Sequence, residues 1–180
     1  MRTDLDVMMY SMVELLYGSS LRISEVSNIK IEDIDFERGY IYVTNFKNKE
    51  EELRFPMSEV SIHAVKRYMK YVRDKIMTAD EKKGGWLYPQ QGETTHRCLL
   101  NRKLKNECRR LGLKEISTHS FRHSSATHML RKGAGIREVQ AILGHKRLSS
   151  TEIYTRVIKD DLKKVIKTYH PREQEETADD

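Results

Sequence analysis

One block of the chain, Ile31 to Met57, carries the two-residue alternation of strands, while the stretches on either side return apolar residues every three or four positions. Within it, the segment Ile31 to Phe36 leads to a turn at Arg38-Gly39. Tyr40 to Phe46 then alternates at Ile41 and Val43, a charged tip runs from Lys47 to Glu52, and Leu53 to Met57 follows. This pattern predicts three antiparallel strands joined by two turns, the second of which presents Lys47 and Lys49. The fold class expected is therefore mainly α-helical with a small three-stranded antiparallel β-sheet on one side.

The helices around that block are marked by caps and glycines. Asp4 is the expected cap of a first helix whose apolar face is Leu5, Met8, Met9, Met12, Val13, Leu15 and Leu16, ended by Gly18. Ser19 or Ser20 is expected to cap a short second helix that turns Val26 and Ile29 inward, with Arg22 at its mouth. Ser58 starts a long helix reaching about Met77, and a polar loop with Gly84 and Gly85 and a short buried Trp86 to Pro89 segment follow. Thr94 or Thr95 is the expected cap of a helix ending at Gly112. Thr118 is a credible cap for a helix running to Lys132. Gly133 and Gly135 interrupt the chain before a short helix from Ile136 to Leu143, closed by Gly144. Ser149 with Glu152 forms a capping box that would set Tyr154 just inside a helix, and Leu162, Val165 and Ile166 give the last helix an apolar face.

The stretch from Thr118 to Tyr154 carries the chemistry. His119 and Arg122 lie one helical turn apart, so both are expected to show one face, and His145 and Tyr154 follow. A phenol is a poor nucleophile at its normal pKa of about 10, and positive neighbours make it a better one. A tyrosine held near such a cationic pocket is suited to attack a phosphate.

Charge agrees with an anionic partner. The formal charge of +6 understates the basic character of the rest, because Arg172 to Asp180 contain one arginine against five acidic residues. A domain this basic meets a polyanion, nucleic acid being the commonest, unless the lysines only keep its surface soluble. With 180 residues and 38% apolar content the chain can bury one good core. Cys98 and Cys108 show no metal-ligand spacing and are expected to be reduced, buried helix thiols of a cytoplasmic protein. No signal peptide and no apolar run long enough to span a membrane is visible.

Taken in order, Arg22 in Ser19 to Asp35, Lys47 in Phe46 to Glu51, His119 and Arg122 in His119 to His123, His145 after Leu143-Gly144, and Tyr154 in Ser150 to Val157 resemble the tyrosine recombinases, or phage integrases, and most closely their Xer-like branch. The resemblance runs from about Asp4 to Ile166, and the Thr168 to Pro171 ending looks like archaeal members. It implies a catalytic domain over residues 1–170, followed by an acidic, disordered tail over 171–180. It implies DNA strand cleavage and rejoining, with Tyr154 forming a 3′-phosphotyrosyl link that a 5′ hydroxyl later attacks, and no metal or other cofactor. It also implies double-stranded DNA as partner and four protomers on two duplexes, with the helix after Tyr154 docking on a neighbour.

Physical chemistry fits each role. In-line attack builds charge on the non-bridging phosphate oxygens, which the planar forks of Arg22 and Arg122 suit. A lysine on a hairpin tip, Lys47, can deliver a proton to the leaving 5′ oxygen. His119 is placed to help move the tyrosine's proton, and His145 to donate to a phosphate oxygen. Lys30, Lys146 and Arg147 would contact backbone phosphates, while Arg97 and Arg102 are candidates for reading bases.

Taken singly, these residues have plainer readings. Arg22 would cap its helix or pair with Glu25; His119 and His123 have zinc-compatible spacing without a third ligand; Tyr154 would be an interfacial core tyrosine. Two departures from the family pattern stand out. The hairpin tip reads Lys47-Asn48-Lys49 followed by three glutamates, so Lys49 is an alternative to Lys47. The N-terminal core-binding domain of complete members is not expected within the few residues before Asp4. The alternatives to a recombinase are a type IB topoisomerase-like enzyme, with the same chemistry but rejoining of the same strand, and a non-catalytic DNA-binding regulator on the same fold.

Overall fold

Thr3 caps the first helix, α1 (Asp4–Gly18), with its hydroxyl accepting from the Asp6 N–H at 3.2 Å while the Asp6 carboxylate accepts from the Thr3 N–H at 2.8 Å. The cap is thus one residue earlier than expected, because Thr3 has a carboxylate three positions on and Asp4 does not. The computed structural model describes residues 3–44, 52–90 and 93–143. These fall in two compact units, Met1–Ser125 and Ala126–Asp180.

In the first unit, α1 turns Met8, Met9, Met12, Leu15 and Leu16 into the core as anticipated, but Leu5 is 42% exposed. Ser11 takes an interior place because its hydroxyl is satisfied, by the Met8 carbonyl at 2.7 Å and the Tyr88 hydroxyl at 2.9 Å. Gly18 lets α1 approach the next long helix: a Cβ there would overlap the hydroxyls of Ser58 and Ser61. The short helix α2 (Ile23–Ser27) is capped neither by Ser19 nor by Ser20 but starts at Arg22, whose N–H is taken by the Glu25 carboxylate at 2.5 Å. Val26 and Ile29 are buried as expected.

The three strands β1 (Ile34–Asp35), β2 (Tyr40–Thr44) and β3 (Glu52–Pro56) form an antiparallel sheet in the order β1-β2-β3. Register places Ile34 opposite Ile41 and Ile41 opposite Phe55, so one buried row crosses the sheet and seats it on the helices. The first turn is set by Asp35, whose carboxylate accepts from the N–H groups of Glu37 and Arg38, and by Gly39 at φ 70°. The second, with Lys47 and Lys49, lies outside the described residues.

Ser58 caps α3 (Glu59–Tyr68), as its sequence promised, and the helix continues through a π-helical stretch, Met69–Arg73, into α4 (Asp74–Ile76). The wider, i→i+5 bonded turn of that stretch accompanies burial of both Tyr68 and Arg73, and Arg73 donates to the Trp86 carbonyl through Nε at 3.0 Å and Nη2 at 2.6 Å. Where a polar loop was expected, Thr78 and Glu81 form a capping box and start α5 (Ala79–Lys83). The following segment is buried at Leu87 and Tyr88, as expected, and bridges back through Trp86 to Lys30.

The next helix, α6 (Glu93–Arg110), begins before Thr94 and Thr95, which lie inside it rather than capping it. Cys108 is buried as expected, whereas Cys98 is exposed, contrary to the expected burial. Gly112, at φ 65°, ends the helix, the Leu113 N–H reaching the Cys108 carbonyl at 2.8 Å. Thr118 is the first residue of α7 (Thr118–Arg131) rather than its cap, and its N–H donates to the Asn101 side chain at 2.9 Å. In the second unit, α8 (Ile136–Ile142) brings Val139 and Leu143 together with Ala126 and Leu130 in a small core of its own.

His96 tests the packing of the first unit. It is 3% exposed, edge-on to Tyr88, which stacks on Tyr68 with ring centroids 5.0 Å apart. Burial pushes its pKa below the ordinary imidazole value, with the Glu81 charge opposing. The folded state therefore favours neutral His96 while the unfolded chain binds a proton near pH 6.5. Its contribution is complete above about pH 6.5 and is lost as the pH falls below that value, by at most about 1.4 kcal/mol per pH unit for one proton. Thermal midpoints at pH 7.5 and 5.5 should fall in the wild type and move less in His96→Phe; equal shifts would show that His96 is not the group responsible.

Candidate active site

The site is organised by Glu25, which is 8% exposed and stands at the third position of α2. One helical turn separates it from Arg22, so its carboxylate reaches the start of its own helix. There it accepts from the Arg22 backbone N–H at 2.5 Å and from Arg22 Nη1 at 2.7 Å. Both plain readings of Arg22, cap and ion pair, are thus realised at once. They do not use up the side chain, which is 39% exposed and keeps Nε and Nη2 without a partner among the described residues.

Arg122 arrives from α7. It is 5% exposed, Nη1 donates to the Ser20 carbonyl, and the same nitrogen lies 3.9 Å from the Glu25 carboxylate. One buried carboxylate therefore stands between two guanidinium groups. Glu25 offsets the repulsion that would otherwise separate the arginines. The part-exposed fork of Arg22 suits the cluster to an anion with oxygens to share.

Of the residues proposed from sequence, Arg22 and Arg122 are brought together. His119 is on α7 one turn before Arg122 but exposed, and it does not share that residue's burial. Lys47, His145 and Tyr154, with the neighbouring Lys49, Lys146 and Arg147, lie outside the described residues, as do Leu162, Val165 and Ile166. Lys30 is partly engaged, its Nζ 3.1 Å from Glu32 and 5.5 Å from the Trp86 ring centroid. Arg97 and Arg102 are exposed on α6. Among the described residues no three His, Cys, Asp or Glu side chains cluster as around a metal ion, and no helix is long and apolar enough to cross a membrane.

Sequence reasoning treated Glu25 as a rival explanation of Arg22 rather than as part of the site. The signal was there: a glutamate three residues after the first residue of a short helix is a cap-forming position, and a carboxylate committed there is held within reach of anything packed on that turn. Ser20 and Ser125, whose hydroxyls pair at 2.9 Å in the interior, left no such signal.

With its helices and three-stranded antiparallel sheet, the chain has the tyrosine recombinase catalytic-domain fold. The chain belongs to the phage integrase family, whose model matches residues 2–160. It is 34% identical over 173 residues to tyrosine recombinase XerD of Oceanobacillus iheyensis, covering 96% of this chain and 58% of that protein. It is 35% identical over 166 residues to tyrosine recombinase XerC of Pelotomaculum thermopropionicum, covering 90% of this chain and 54% of the relative. The chain thus spans somewhat over half the length of these relatives. Among solved structures, the crystal structure of XerA recombinase matches with a TM-score of 0.75 at 27% identity, over 93% of this chain and 60% of that one. XerH site-specific recombinase bound to palindromic difH substrate shares the fold, with a TM-score of 0.74 at 21% identity over 93% of this chain and 47% of that one.

Proposed function

We propose that residues 1–170 form the catalytic domain of a site-specific DNA recombinase that cleaves and rejoins strands of double-stranded DNA without a metal or nucleotide cofactor. Tyr154 attacks the scissile phosphate, its oxygen bonding to phosphorus as the bond to the 5′ oxygen breaks. This leaves a 3′-phosphotyrosyl link and a 5′ hydroxyl. Lys47, or Lys49 beside it, gives the leaving oxygen its proton. Arg22 and Arg122 hold the non-bridging oxygens, His145 donates to one of them, and His119 helps to move the tyrosine's proton. A 5′ hydroxyl of a partner duplex then attacks the link and releases Tyr154. The energy of the phosphodiester is kept in the covalent intermediate, so no nucleotide is consumed. Four protomers would act on two duplexes, with Lys30, Lys146 and Arg147 on backbone phosphates and Arg97 and Arg102 towards bases.

The observation carrying this reading is the convergence of Arg22 and Arg122 on one buried carboxylate from distant parts of the chain. A fold that only bound DNA would have little need to bury an arginine beside a half-exposed one; bidentate grip on a phosphate that gains charge in the transition state uses both. Covalent capture tests the proposal. Nicked duplexes drawn from the region around the coding locus, labelled on the strand that would keep the 3′ phosphate, are incubated with the protein and denatured. Label that migrates with protein is the expected result. Retention of the duplexes in a native gel with no label on denatured protein would favour the regulator instead.

A further inference from the structure

Ser20 is the one non-glycine residue at positive φ, 54°, among the described residues. A side chain is disfavoured in this left-handed region because its Cβ crowds the following carbonyl, and glycine would adopt it freely. Ser20 is nevertheless buried there, and α7 holds it at two points. Its hydroxyl pairs with the Ser125 hydroxyl at 2.9 Å, and its carbonyl accepts from Arg122 Nη1. Arg122 and Ser125 are three residues apart on α7, one helical turn, so both contacts come from the same helix face. The left-handed conformation sets the peptide plane whose oxygen meets the guanidinium, and the hydroxyl pair is what that conformation gains by carrying serine rather than glycine.

We infer that the Ser20–Ser125 hydroxyl pair is a latch that positions Arg122. Ser125 holds Ser20 in the left-handed turn, the turn presents its carbonyl to Nη1, and that contact fixes the fork for the phosphate oxygens. Neither serine touches the reacting atoms; both act through Arg122. The inference rests on the proposed catalytic role of Arg122, but the latch itself is a property of the free protein and has its own readout.

The full chain is compared as wild type, Ser125→Ala, Ser125→Thr and the double variant Ser20→Gly/Ser125→Ala. Two properties are followed well below each thermal midpoint: the nitrogen–proton NMR correlation of the Arg122 side-chain Nε–H, assigned by its loss in Arg122→Lys, and the single-turnover rate of covalent capture on saturating nicked DNA. In Ser125→Ala the Arg122 correlation should broaden or shift and the capture rate fall about tenfold, with DNA affinity unchanged. Ser125→Thr, which keeps the hydroxyl, should retain both. Ser20→Gly/Ser125→Ala should recover both to within about threefold, since glycine holds the turn without a partner.

An unchanged Arg122 correlation in Ser125→Ala would overturn the latch. So would a double variant that regains thermal stability without regaining the correlation, because the serines would then be packing alone. If Ser125→Ala does not fold, Ser125→Cys, which keeps the volume but donates weakly, takes its place with the same expectations. If the wild type itself forms no adduct, the proposed function fails and the NMR comparison alone decides the latch.

Discussion

In Tyr154→Phe no covalent adduct should form, and in Arg122→Ala it should form about 10²–10³ times more slowly, the usual loss for one transition-state donor. Phenylalanine keeps the ring and removes only the attacking oxygen, so binding of the same duplexes should persist in Tyr154→Phe. Arg122→Ala needs a closer argument, because Arg122 also supports the fold. Its removal leaves the Ser20 carbonyl without its donor and takes one cation from Glu25. An orphaned buried acceptor costs about 1–3 kcal/mol and the lost pairing with Glu25 adds about 2–3 kcal/mol, against a total stability of about 5–15 kcal/mol for an ordinary domain. Rates are therefore compared per folded molecule, well below the thermal midpoint of each variant, so that unfolding does not enter the rate loss of two to three decades. Arg122→Lys separates the two effects further: it keeps a charge near Glu25 but has no planar fork, so a rate still reduced with most of the stability regained assigns the loss to geometry. Single-turnover capture and thermal midpoints on the same preparations check this. A rate in Arg122→Ala within a few-fold of wild type would remove Arg122 from the proposed chemistry.

Local features of the fold were legible because short-range physics sets them. The strand alternation at Ile41 and the turn at Arg38-Gly39 are read within a few residues, and the three strands pair antiparallel as they predict. Caps were legible to within a residue or two and went wrong where two candidates stood side by side. Thr3 prevailed over Asp4 because of Asp6, and Glu93 opens α6 ahead of the threonines. Thr78 and Glu81 were missed because a five-residue helix with no apolar face has no periodicity to detect. The π-helical stretch was hidden for the opposite reason, since Tyr68 and Val72 keep ordinary helical spacing and only Arg73 betrays the wider turn.

The site divides along the same line. Arg22 and Arg122 were singled out by residue type and order, but what unites them depends on contacts across the chain. Arg122 reaches Ser20 across 102 positions and Ser125 reaches it across 105. A left-handed serine has no sequence signature, since serine is unremarkable in a turn and its backbone angle is chosen by what packs on it. The same-face argument for His119 and Arg122 was sound for spacing and incomplete for depth: one turn of helix carries a residue from the interior to the surface.

Glu25→Gln should lower stability and slow the proposed cleavage without weakening DNA binding, and this combination of signs makes it informative. Glutamine keeps the shape and an acceptor for the Arg22 N–H, but it leaves the buried Arg122 without the carboxylate 3.9 Å away and brings two like charges together across a neutral group. Breaking a buried pair costs about 3–5 kcal/mol. The 39% exposure of the Arg22 side chain screens part of that, so about 2–3 kcal/mol is the better expectation. For a chain of 180 residues this corresponds to a fall of about 5–10 °C in thermal midpoint. With the carboxylate gone, the arginines retain their charge and lose the group that spaces them. Affinity for a polyanion should then hold or rise, while capture slows about tenfold because the forks no longer meet the phosphate together. Glu25→Asp keeps the charge but shortens the reach, and should recover stability in part while leaving the slower rate. Equal losses of affinity and rate in Glu25→Gln would mean that Glu25 only maintains the fold, and a rate that follows affinity upwards would mean that the arginines need no spacer.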